Sequence, residues 1–105
     1  MAGTFTPKLL AEGQVANSKT AMYTVPGATS AYVRTMKFYN TNVATQTINL
    51  YISTGTSRQT YKFELATDES AEVDDRLTLE TGDLIEADTT TATAVDFTVH
   101  GVEET

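Results

Sequence analysis

From Thr47 to Ile52 apolar and polar residues alternate without a break, with Ile48, Leu50 and Ile52 on one side of an extended chain and Thr47, Asn49 and Tyr51 on the other. A period of two suits a strand with one buried face and does not suit a helix, whose faces recur about every 3.6 residues. Comparable runs return at intervals of roughly 8–12 residues with turn-forming residues between them, the pattern of an antiparallel sandwich or small barrel. Eight strands are expected: Pro7–Val15, Ala21–Val25, Ala31–Asn40, Thr45–Ser53, Gln59–Leu65, Ala71–Leu79, Leu84–Asp88 and Ala94–Val102. The expected fold is a single all-β sandwich, jelly-roll-like, spanning residues 9–105, with residues 1–8 as an N-terminal arm.

Composition agrees with strands. Threonine supplies 21 of the 105 residues, beside five tyrosines and four phenylalanines, and such side chains fit a pleated, half-buried surface. Alternation then assigns the core to Met36, Phe38, Ile48, Leu50, Ile52, Phe63, Leu79, Phe97 and Val99, with Tyr61, Leu65, Val73, Leu77 and Val95 on the same faces. Asp75 shares the parity of Val73, Leu77 and Leu79, so a bulge or an exposed strand end is expected there. At Val25-Pro26-Gly27, proline presets φ and glycine accepts a left-handed turn, and Gly82 does the same before Asp83. In the arm, Pro7 disfavours a place in a sheet ladder and Phe5 is the only large apolar group, so the segment is read either as disordered or as a strand added to a neighbour.

The chain has the length of one domain, and it lacks cysteine, which excludes thiol chemistry and cysteine-ligated zinc. No apolar run approaches the roughly 18 residues of a membrane helix, and the first residues lack the basic and apolar regions of a secretory signal. The chain therefore reads as soluble and made in the cytoplasm. Its charge is divided: residues 1–63 carry six lysines and arginines against Glu12, whereas residues 64–105 carry thirteen acids against Arg76, for a total of −7. Either basic and acidic strands lie side by side and neutralise one another, or the molecule has two faces of opposite potential. The acidic half excludes a phosphate-backbone binder, so no nucleic-acid partner is expected.

Catalytic motifs are missing. His100, the single histidine, faces outward by parity and has no serine or cysteine in a nucleophile motif near it. The acids Asp68, Glu69, Glu72, Asp74 and Asp75, with Asp83, Glu86 and Asp88, form no calcium-loop sequence and are read as solvated strand faces and loops. No catalytic residue, metal ligand or cofactor is expected. Phe5, Tyr23, Tyr32, Tyr39 and Tyr51, read as outward or loop-adjacent, are the candidate interface residues, because tyrosine fills interfaces at low entropic cost.

The ordered set Leu9–Ala16, Tyr23–Gly27, Arg34–Thr41, Ile48–Ile52, Leu77–Ala87 and Val99–Glu104 resembles the small β-sandwich structural proteins of tailed bacteriophages, found among capsid decoration (cement) proteins and head or tail fibre modules. The resemblance implies a virion component made in the host cytoplasm, with no enzymatic activity and no membrane partner. Its expected partners are the major capsid protein and further copies of itself, a trimer being favoured by the threefold symmetry of many lattice positions. The alternative it leaves open is a fibre, spike or baseplate module that binds a host-surface glycan or acts as an adaptor.

Overall fold

The computed structural model describes residues 3–105. It contains nine strands: β1 (Phe5–Gln14), β2 (Thr20–Thr24), β3 (Ser30–Asn40), β4 (Gln46–Ser53), β5 (Ser57–Leu65), β6 (Ser70–Val73), β7 (Leu77–Leu79), β8 (Leu84–Thr89) and β9 (Val95–Glu104). One antiparallel sheet runs β1-β9-β3-β6, with β7 pairing β3 beside β6, and the other runs β2-β8-β4-β5. With β6 and β7 sharing one strand position, this is the order of a jelly roll, and the expected all-β sandwich is the fold.

The expected sixth strand, Ala71–Leu79, is divided. Ser70–Val73 pairs with Met36–Tyr39 and Leu77–Leu79 with Ala31–Val33, while Asp74, Asp75 and Arg76 lie between the two pairings. An inward carboxylate at position 75 would have to be desolvated. The break instead turns it out to the Tyr61 hydroxyl of β5, which donates to it.

Residues 5–8 are not an arm. Phe5, Thr6, Pro7 and Lys8 pair with Glu104, Glu103, Val102 and Gly101, and Thr4 exchanges two backbone hydrogen bonds with Thr105. Pro7 is accommodated because β1 is an edge strand, where the missing N–H need not face a ladder. Met1 and Ala2, the first two residues of the expected arm, lie outside the described residues. The turn after β2 also differs from expectation, since the left-handed residue is Ala28, at φ 55°, not Gly27. Gly82 has φ 87° as expected.

The core lies where the two inner faces meet, around Met36, Phe38, Ile48, Leu50, Leu79 and Val99, all almost fully buried. Ile52 and Phe63, expected in it, are only half-buried: Ile52 lies near the end of β4, and Phe63 is on the edge strand β5. The Phe63 ring packs edge-on against Phe38 with centroids 5.4 Å apart. Phe97, expected in the core, is buried, as are Val15, Val25, Val33, Leu65, Ile85 and Val95.

Two irregularities meet on β9. The β1 register shifts between Leu9 and Ala11, and the β3 register shifts between Val33 and Thr35, so the extra residues Leu10 and Arg34 flank His100 from opposite sides. Beside them Gly101 permits a close approach that no other residue could, because a Cβ there would overlap the Tyr32 carbonyl oxygen and stand 3.0 Å from Leu10 Cδ1.

Two substitutions test this packing by denaturant unfolding. Leu50→Ala removes a fully buried side chain and is expected to cost about 2–5 kcal/mol. Gly101→Ala adds one methyl group against rigid backbone and is expected to cost about 1–3 kcal/mol. A loss below about 1 kcal/mol for Leu50→Ala contradicts its inward face.

Candidate functional site

The five candidate interface residues do not gather into one patch. Phe5, 59% exposed, lies on the edge of the first sheet and packs on Tyr32 of β3, with ring centroids 6.3 Å apart. Tyr39, 41% exposed, is on the outer face of the same sheet. Seven residues along β3 separate it from Tyr32, a distance of roughly 20–25 Å in extended chain. Tyr51 is half-buried on the outer face of the opposite sheet, where Lys19 Nζ stands 5.0 Å from the centre of its ring.

Tyr23 corrects the sequence expectation. It is 7% exposed and points into the sandwich from β2. Its hydroxyl donates to Glu103 Oε2 at 2.6 Å, and Lys8 Nζ donates to Glu103 Oε1 at 3.0 Å. Three residues from β1, β2 and β9 thus tie the two sheets together at one margin. Tyr23 shares the inward parity of the buried Val25 two residues on, just past a register shift between Ala21 and Tyr23. Alternation carried past Val99 and Gly101 would have placed Glu103 inward as well, but the sequence reading ends that strand at Val102.

The same donor recurs at every tyrosine. The hydroxyls of Tyr32, Tyr39 and Tyr51 donate to Glu104 Oε1 at 2.6 Å, Asp68 Oδ1 at 3.0 Å and Asp88 Oδ2 at 2.9 Å, and Tyr61 donates to Asp75. A phenol bound to a carboxylate holds its proton more tightly. Tyr61 is accordingly pushed up to about 12, first by the hydrogen bond to Asp75 and then by burial. Tyr32, Tyr39 and Tyr51 are raised in the same way by their own carboxylate partners. Burial is the larger cause at Tyr23, with Glu103 adding to it. Glu103 is held below the ordinary 4.5 by the Tyr23 hydroxyl and by Lys8, against the opposing effect of its own burial.

Several other acids have separate local partners. Asp74 accepts from the Thr35 hydroxyl, Glu69 from the Ala66 backbone N–H at 2.9 Å, Asp83 from the Glu80 N–H at 2.9 Å, and Glu86 from Ser57 Oγ at 2.8 Å. Among the described residues no three histidine, aspartate or glutamate side chains converge as a metal site. His100 is half-buried on the outer face, where its Nε2 is 3.2 Å from Thr98 Oγ1. Basic and acidic strands do lie side by side at Lys37 of β3 and Glu72 of β6, 3.6 Å apart, and at Lys8 of β1 and Glu103 of β9.

No family model matches this chain, and no curated protein matches it. Solved structures do. A chain from Bacillus endospore appendages, described as a novel family of disulfide-linked pili, shares 18% identity at a TM-score of 0.53 over 98% of this chain and 89% of its own length. A chain of the T13 viral particle of infectious bursal disease virus shares 10% identity at a TM-score of 0.59 over 99% of this chain. The Gx strain of the same virus matches at 10% identity and a TM-score of 0.53 over 97% of it. This chain spans 31% and 32% of those two viral chains. At such identities the likeness is one of fold, and the jelly roll described above is a fold found in both a virus particle and a pilus.

The pH dependence of stability follows from the tyrosine–carboxylate pairs. Glu103, lowered in the folded chain, stabilises above the ordinary carboxylate value of 4.5, and that contribution is lost as pH falls through and below it. The tyrosines, raised in the folded chain, stabilise below the ordinary 10.0, and theirs is lost as pH rises beyond that value. Denaturant unfolding across pH is expected to give a plateau falling at both ends, with phenolate absorbance appearing later in the native chain than in the unfolded one. Glu103→Gln keeps an acceptor for Tyr23 and is expected to flatten the acid limb; an unchanged acid limb contradicts the assignment.

Proposed function

We propose that this chain is a structural protein of the bacteriophage virion, a decoration protein that binds the outer capsid lattice as a small homo-oligomer and bridges neighbouring lattice subunits. The observation that carries this reading is the jelly roll shared over 99% of the chain with a chain of an icosahedral virus particle. The sequence resemblance to phage decoration and fibre modules points the same way. Most of the carboxylates accept hydrogen bonds from hydroxyl, amide and backbone N–H groups of the chain itself, an arrangement suited to a rigid scaffold.

A glycan-binding spike should gather its aromatic rings in one concavity. Of the candidate interface rings, Phe5, Tyr32 and Tyr39 are spread along the outside of one sheet, Tyr51 lies on the other and Tyr23 is buried, so the outer four suit broad contact surfaces and the five share no concavity. A fibre built from repeated copies is the second reading. It is supported by the pilus chain, which overlaps this one along nearly the whole of both. Copies of this sequence could not be linked by disulfides, since it has no cysteine.

Cryo-electron microscopy of particles that carry this chain tests the proposal. Density on the outer face of the head lattice is the expected result, with light scattering of the purified chain giving a closed oligomer, a trimer in the simplest case. Filaments of the purified chain or label confined to the tail would transfer the assignment to the second reading. Absence of the chain from purified particles would overturn both.

A further inference from the structure

The two margins of the sandwich are not alike. At one, β1 and β2 touch and Lys8, Glu103 and Tyr23 close the gap. At the other, β5 ends one sheet and β6 ends the other, and neither strand pairs on its outer side. Between them lies an open groove of about 680 Å³, within the size range of sites that hold a peptide side chain or a small ligand. Its apolar lining comes from Tyr61, Phe63, Leu65, Ala71 and Val73, and Phe63 continues it to the Phe38 ring in the core.

The charged lining has one sign. Glu64, Glu69, Glu72, Asp74 and Asp75 all contribute and no lysine or arginine does. Lys37 lies 3.6 Å from Glu72 from outside the groove and offsets one of the five charges. Such a cleft repels an acidic segment and attracts a basic one, and its low-dielectric floor strengthens the field. The free backbone edges of β5 and β6 can in addition pair with an extended chain.

We propose that the groove between β5 and β6 is the docking cleft for an extended segment of a partner protein, one that presents an apolar side chain flanked by lysine or arginine. A second copy of this chain fits less well. Among the described residues its exposed large apolar side chains are Phe5, Leu9, Tyr39 and Val43, and the basic residue between the first two, Lys8, is already held by Glu103. The inference rests on the lattice-binding reading for the identity of the partner, which would be the capsid protein. Its chemistry is argued from the groove alone.

The test titrates the isotope-labelled chain with two blocked pentapeptides, each having a central phenylalanine between two valines, one ending in lysines and the other in glutamates. Amide shifts over residues 61–65 and 69–75 with the lysine peptide, and not with the glutamate peptide, are the expected result. Glu64→Gln and Asp74→Asn remove charge while keeping shape and, at Asp74, the acceptor for Thr35; each should weaken binding by roughly twofold to fivefold. Glu12→Gln, on the far edge strand β1, changes net charge equally and should leave binding unaltered. Equal responses to both peptides, no response, shifts outside the groove, or an equal loss with Glu12→Gln would overturn the proposal. Groove amides that shift with protein concentration alone would assign the cleft to a second copy and overturn it too. If the chain decorates heads but the groove ignores the lysine peptide, this inference fails and the lattice reading stands. If the groove responds but the chain is absent from heads, the lattice reading fails and the cleft's chemistry stands.

Discussion

The last strand holds the first sheet together. β9 pairs along its length with β1 on one side and β3 on the other, so the two halves of that sheet meet only through residues at the end of the sequence. The fit depends on Gly101, whose missing Cβ lets the Tyr32 carbonyl come close, and on the matched register shifts at Leu10 and Arg34. Paired shifts of this kind bend and twist a strand locally. Past the bend, β9 delivers Glu103 inward, where Tyr23 reaches it from the opposite sheet. The cross-sheet tie therefore exists only once the longest-range pairings of the chain have formed, and such pairings carry the highest loop-closure cost.

The second organising constraint is charge. With fourteen acids and seven lysines and arginines, the chain cannot match each carboxylate with a cation. Among the described residues two ion pairs form, whereas all five tyrosines donate to carboxylates. A neutral hydroxyl satisfies an ionised acceptor with a strong hydrogen bond and leaves its charge in place. The tyrosines thus fix the positions of the acids while the surface keeps its negative field.

Alternation made the strands and most of the core legible, because burial on one face of a strand imposes a period of two and short turn clusters mark its ends. It located the break at Asp75 for the same reason: a carboxylate on an inward parity has to leave the ladder or be desolvated. Three features were hidden. Residue type alone makes Tyr23 an outward ring, although Val25 two residues on shares its inward parity. Proline opposes a ladder and so makes Phe5–Lys8 look like an arm, but whether a strand lies at an edge is a property of the sheet order. Asn40 closes the expected third strand, and nothing in the pattern shows that its buried side chain donates to the backbone carbonyls of Ala44, Leu65 and Ala66, a bracing that depends on where β5 ends in space.

The asymmetry of the two margins connects these constraints to what the surface can do. One margin is closed by a buried carboxylate that accepts from a phenol of the opposite sheet and an ammonium group of its own sheet, so parting the sheets there breaks a buried, charge-assisted hydrogen bond. The other is spanned by an exposed phenol–carboxylate pair, Tyr61 with Asp75, whose groups water can solvate when they part. The acid-rich second half of the chain supplies most of the rim of that margin, and the four-residue strand β6 limits how far the first sheet extends over it. The division of β6 from β7 follows from the run of charge at Asp74, Asp75 and Arg76. A feature that looks like a defect in the strand pattern is therefore what leaves one side of the sandwich apolar inside, acidic outside and open.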